Sequence, residues 1–143
     1  IHSVDSAGLL ERVNAIAADE GARPIVLLEV NVSGEASKFG MPPEAVAPAL
    51  AVARGLSQVT VAGLMTMPPF SEDTGRSRAH FRALRALRDR LRSETGFDLP
   101  ELSMGMSADF EVAIEEGATW VRVGTDLFGP RPPRPRPEYE EST

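Results

Sequence analysis

Short runs rich in β-branched residues alternate with amphipathic stretches from Ile1 to Val123. That alternation leaves few folds open, because it marks βα units built around a parallel sheet. The first strand candidate is Ile1–Val4. Asp5 or Ser6 can cap a helix whose apolar face is Leu9, Leu10, Val13, Ile16 and Ala17, with Gly21 as its stop. Pro24 precedes residues 25–32, a nearly continuous apolar run suited to a strand covered on both faces. A polar loop from Ser33 to Gly40 leads to a helix from Pro43 to about Arg54, with Pro48 as the point where it would bend. Val59–Met65 reads as a third strand. Pro68 and Pro69 then force a loop before a long helix from about Thr74 to Ser93, with Phe81, Leu84, Leu87 and Leu91 as its buried stripe. A short strand over Leu102–Met104, a short helix over Ala108–Glu116 closed by Gly117, and a strand over Thr119–Val123 complete the alternation. Residues 1–129 are therefore expected to form one domain. Residues 130–143, a Pro/Arg run with an acidic end, are expected to be a disordered or polyproline-II tail.

Five strands and four helices fit two architectures. One is an open doubly wound sheet, and the other is part of a (β/α)8 barrel, which usually takes about 250 residues. The chain has 143 and opens without Met in an apolar stretch, so the expectation is that it begins partway through a domain. Composition narrows the chemistry. With no cysteine, disulfide frameworks, thiolate metal sites and cysteine nucleophiles are excluded. A net charge of -6 argues against a protein that coats nucleic acid, since such binding neutralises phosphates. No apolar stretch approaches the roughly 20 residues of a membrane span, and the first residues do not resemble a secretory signal. The expected location is the cytoplasm.

In either architecture functional residues lie just beyond the strand C-termini, and the unusual residues cluster there. In Ser103-Met104-Gly105-Met106-Ser107, Gly105 could let backbone approach a ligand and Ser107 could hold a phosphate at a helix start. Ser107 could equally cap its own helix, and Asp109 in the first turn would repel an anion. Arg122 alternates with Val121 and Val123, so it projects opposite to them. Its partner is either a ligand or a core carboxylate such as Glu29. Gly124 and Thr125 offer bare backbone and a hydroxyl for phosphate oxygens. Lys38 is the only lysine beside 14 arginines, which points either to a role for its amine or to a surface loop residue. Met67 sits at a strand end, where it is either core or a cofactor contact. His2 has no partner at metal spacing. Arg76, Arg78, Arg82, Arg85, Arg88, Arg90 and Arg92 lie mostly opposite the apolar stripe of the long helix and read as a solvated outer face.

Taken together, His2-Ser3-Val4-Asp5-Ser6, residues 29–35 with Ser37-Lys38, Gly63-Leu64-Met65-Thr66-Met67, residues 103–107 with Asp109, and Arg122-Val123-Gly124-Thr125 with Phe128-Gly129 closely resemble the pyridoxal phosphate homeostasis protein family. The resemblance runs from Ile1 to about Arg131. It implies a (β/α)8 barrel of the alanine racemase N-terminal type, of which this chain would hold strands four to eight. It also implies a pyridoxal 5'-phosphate (PLP) site and a role in vitamin B6 and amino-acid homeostasis without substrate turnover. On the matching positions, Ser107, Gly124 and Thr125 would hold the phosphate, Arg122 would face the pyridine nitrogen and Met67 the ring. Lys38 would approach the cofactor's phenolic oxygen. The family's Schiff-base lysine lies on its first barrel strand and has no counterpart here, so no catalytic residue is assigned. Two alternatives remain: a racemase-like enzyme, and a nucleic-acid or peptide module using the Arg-rich helix. No metal site is expected, and oligomeric state receives no assignment from the sequence.

Overall fold

Ser6 accepts a hydrogen bond from the Leu9 amide at 3.2 Å and starts α1 (Ala7–Asp19), because a free helix N-terminus needs an acceptor. The order continues as β1 (Ile25–Glu29), α2 (Pro43–Ala53), β2 (Thr60–Met65), α3 (Thr74–Thr95), β3 (Glu101–Met106), α4 (Phe110–Glu115), β4 (Trp120–Arg122) and α5 (Thr125–Phe128). The computed structural model describes residues 1–35, 37–69, 71 and 73–130. Their four strands form one parallel sheet in the order β1-β2-β3-β4. The segment Ile1–Val4 lies on the far side of β1, through a bridge from Val4 to Leu28 and main-chain bonds from Val4, Leu27 and Glu29.

A doubly wound sheet reverses its strand order at a switch point. Among the described residues no reversal occurs, and each strand lies beside its predecessor, as barrel strands do. The sheet also curls. In a flat sheet the Ile1–Val4 segment and β3 would be separated by three strand spacings, roughly 14 Å. Yet His2 Nδ1 lies 2.9 Å from Ser103 Oγ, which a concave sheet permits and a flat one does not. The helices cover the convex side. There Val26, Leu28, Val30, Leu64, Leu102 and Met104 pack in one cluster with Leu10 and Leu50 and with Phe81, Leu84 and Leu91 of the long helix stripe. By the two-residue period of a strand, Leu27, Glu29, Ser103 and Arg122 face the concave side.

Several boundaries differ from the sequence expectation, each for a local reason. The Ile1–Val4 strand reduces to a single bridge. The run 25–32 ends as a strand at Glu29, because Met41 returns beside Val30 and exchanges main-chain bonds with Glu29 and Asn31. Gly40 makes that return feasible: its φ is +104°, and a Cβ there would sit 2.7 Å from the Asn31 nitrogen. The helix expected from Ala108 starts at Phe110, since Asp109 Oδ1 accepts the Met106 amide at 2.8 Å and closes a turn first. No sequence feature anticipated α5, four residues whose Leu127 and Phe128 are exposed. All but Pro130 of the expected tail lies outside the described residues.

The arginine-rich helix is corrected more substantially. Arg78, Arg82 and Arg85, at helical spacing i, i+4, i+7, converge on Glu116, a carboxylate only 3% exposed at the end of α4. Their distances to it are 2.9, 3.1 and 3.3 Å, and Arg85 also donates to the Glu116 carbonyl at 3.0 Å. Arg88, Arg90 and Arg92 pair with Asp89, Glu94 and Asp98. This face is thus an α3–α4 clamp in its first half rather than a solvated stripe.

Candidate functional site at the strand C-termini

The ends of β3 and β4 bring together the residues that carry the candidate chemistry. A cavity of about 450 Å³ opens there, lined by Pro68, Pro69, Met106, Ala108, Asp109 and Asp126 together with Ser107, Arg122, Gly124 and Thr125. Four of the six residues expected from the sequence therefore share one wall. Met67 immediately precedes the lining prolines but is not itself among the lining residues, and it is 40% exposed. Lys38 lies in the loop after β1, outside that lining, with its amide bonded to the Glu35 carbonyl.

Ser107 does not cap α4. Its Oγ instead accepts the Asp126 amide at 3.3 Å, tying the end of β3 to the start of α5. Gly105 is explained by packing rather than by a ligand. Its φ is +94° and a Cβ there would lie 2.5 Å from the Ala113 Cβ, so it sets how closely α4 approaches the sheet. Gly124 differs, because no atom lies within 4 Å of the position its Cβ would take, leaving open space beside the cavity. Asp109, expected to repel an anion, is engaged with the Met106 amide. The Asp126 carboxylate remains exposed at the rim.

Arg122 does not take the carboxylate partner. It forms no ion pair with Glu29; its Nη1 donates to Ser103 Oγ at 2.7 Å and its Nη2 to the Thr66 carbonyl at 2.9 Å. Ser103 is on β3, the strand beside Arg122, and Thr66 lies just beyond β2, the next strand along, while Glu29 is on β1 at the other flank. Of the five N–H donors of a guanidinium, two are thereby committed, and the side chain still lines the cavity. Burial pushes the Arg122 guanidinium below its ordinary range, opposed by the charges of Glu29 and Asp109. Glu29 is 4% exposed and its Oε1 has no hydrogen-bond partner among the described residues. Burial, then the charge of Asp5, raises its carboxyl above the ordinary value, with Arg122 opposing.

Sequence reasoning missed Ser103 and His2 as members of this constellation. Ser103 is fully buried and lies between Arg122 and His2 Nδ1. Its alternation with Leu102 and Met104 was a usable signal, being a polar residue on the concave face of a buried strand. His2 carried no such signal, because its partner is 101 residues away and is met only through the curl of the sheet. Among the described residues no group of His, Asp and Glu is arranged to hold a metal, and no helix is long and apolar enough to cross a membrane.

A sequential parallel sheet, curled and with polar groups and a cavity gathered at its C-terminal end, defines a barrel-type α/β protein. Residues 1–132 match the family described as alanine racemase, N-terminal domain. Two similar proteins are the pyridoxal phosphate homeostasis proteins of Aquifex aeolicus, 50% identical over 131 residues, and of Pseudomonas aeruginosa, 47% identical over 133. Each alignment takes in 92% of this chain, but 58% and 55% of those relatives, so the chain spans little more than half their length. The structure of PipY from Synechococcus elongatus PCC7942 with PLP bound superimposes with a TM-score of 0.83 at 39% identity, over 90% of this chain and 60% of PipY. The chain belongs to the alanine racemase N-terminal domain family.

Proposed function

We propose that the cavity at the ends of β3 and β4 holds PLP and that the protein serves PLP homeostasis rather than turnover of a substrate. The observation that carries this is the shared wall of Ser107, Gly124 and Thr125 with Arg122 beside it. The residues fit the group. The volume is in the range of small-molecule sites, roughly 300–1,000 Å³. Two hydroxyls and the open space at Gly124 suit phosphate oxygens, while Pro68, Pro69 and Met106 supply an apolar wall for an aromatic ring. Arg122 keeps its proton at physiological pH and offers only donors, so it suits an unprotonated pyridine nitrogen. When bound, PLP supplies an aldehyde that reacts with amines and a ring that withdraws electrons. An arginine at the ring nitrogen disfavours protonation there and weakens that withdrawal. This supports a carrier role, as do the names of the relatives, which are homeostasis proteins. The chain's one lysine, Lys38, lies outside the cavity lining, so no residue is assigned a covalent role.

Trp120, the single tryptophan, provides the test. Titration with PLP is expected to quench its fluorescence to saturation, with inorganic phosphate as a weak competitor. Ser107→Ala and Thr125→Val each remove a hydrogen bond to a charged group, worth roughly 1.5 kcal/mol or more, and should weaken binding about tenfold. Unsaturable quenching, or variants that bind as the parent does, would overturn the assignment.

A further inference from the structure

The concave face holds a chain of hydrogen bonds whose proton positions are fixed by chemistry. Arg122 Nη1 donates to Ser103 Oγ at 2.7 Å, and the same oxygen lies 2.9 Å from His2 Nδ1. A guanidinium offers only donors, so Ser103 must accept from Arg122. The hydroxyl hydrogen of Ser103 then needs an acceptor of its own. Ser103 is fully buried, and among the described residues His2 Nδ1 is the acceptor within reach. Nδ1 must therefore be unprotonated, with the ring hydrogen on Nε2. If Nδ1 carried a proton, two donors would converge on Ser103 Oγ and a buried hydroxyl hydrogen would lose its partner.

We propose that Ser103 and His2 are positioning residues that hold Arg122 at the cavity: neutral His2 orients the Ser103 hydroxyl, that hydroxyl anchors the guanidinium, and protonation of His2 loosens the anchor. The ligand consequence rests on the PLP assignment above; the relay itself does not. The groups facing His2 are consistent with a neutral ring. Burial lowers its pKa below 6.5, and the Ile1 amine and Arg122 add to that shift, while Glu101 opposes it. Trp120 meets the ring edge-on at 5.7 Å, and its Nε1 donates to Glu101 Oε2 at 2.8 Å.

Two arms of one experiment on the full chain test the relay. In the first, nitrogen-15 NMR of the histidine rings is followed against pH. The expected result is His2 with hydrogen on Nε2 and a titration midpoint below 6.5. Ser103→Ala should raise that midpoint and Ser103→Thr, which keeps the hydroxyl, should restore it. A hydrogen on Nδ1 at neutral pH, or a midpoint indifferent to Ser103→Ala, would overturn the relay. In the second arm PLP affinity is compared between the parent and His2→Gln, whose amide oxygen accepts the hydroxyl without titrating. The ratio of the two cancels the ionisation of PLP itself. It should be near one above the His2 midpoint and fall several-fold below it; a ratio constant with pH would show that His2 does not act through Arg122. If neither protein binds PLP at any pH, the functional assignment fails, and the first arm still decides the relay.

Discussion

Glu29 shows how much the concave face depends on individual partners. Its Oε1 is buried without a hydrogen bond, and burial raises its pKa, so the folded state holds a proton that the unfolded chain would release. For a raised carboxyl the sign is plain: stability is lost as pH rises from the ordinary value, 4.5, through the raised one. Glu29→Gln removes that ionisation. It should match the parent at acid pH and exceed it by about 1 kcal/mol at neutral pH, reduced because Arg122 partly favours the charged form. Chemical denaturation at several pH values measures the difference, and a gap that does not widen with pH would refute the account. The same residue illustrates what single-residue sequence reasoning could resolve. Period two set Arg122 opposite to Val121 and Val123 and offered Glu29 as a core partner, but it could not say which strands lie between them. In the structure Arg122 instead donates to Ser103 and to the Thr66 carbonyl.

At the scale of elements, the alternation of strands and helices was legible because hydrophobic period depends on local sequence. Element ends were less legible, since they are set by tertiary groups such as the Met41 return and the Asp109 turn. The α3–α4 clamp lies between these cases. The i, i+4, i+7 spacing of Arg78, Arg82 and Arg85 was visible, but the buried carboxylate they meet belongs to another element. Hydrogen bonds from Arg78 and then Arg82 hold the Glu116 carboxyl below its ordinary value of 4.5. A depressed carboxyl contributes stability that is present above the unfolded value and lost as pH falls through the folded one. The parent should therefore weaken below about pH 4.5 in step with detachment of α4. Glu116→Gln should be less stable than the parent at neutral pH and should converge with it in acid. Hydrogen exchange at the Ala113 and Gly117 amides, which bond within and just after α4, reports the element directly. Protection there that ignores both pH and substitution would exclude the clamp as its cause.

The whole molecule is governed by a sheet that curls without meeting itself among the described residues. Closed barrels abolish sheet edges, but here β4 pairs with β3 on one side and with no described strand on the other. Its neighbourhood is also apolar and open: Trp120 is 52% exposed and Val121 37%, with Leu127 at 70% and Phe128 at 87% in the following helix. An unpaired row of main-chain donors and acceptors beside such a surface is a template for another strand. A chain of these 143 residues should therefore self-associate as its concentration rises. Val121→Lys places a charge at that edge and should shift the equilibrium towards monomer by roughly tenfold, the effect of about 1.4 kcal/mol, without unfolding the protein. Because Val121 points away from the concave face, the substitution should leave the His2 titration unchanged. Sedimentation velocity across a hundredfold concentration range measures the association, and circular dichroism checks that the fold persists. A parent that sediments as one monomeric species throughout, or a Val121→Lys variant that associates as the parent does, would show that β4 is not the associating edge.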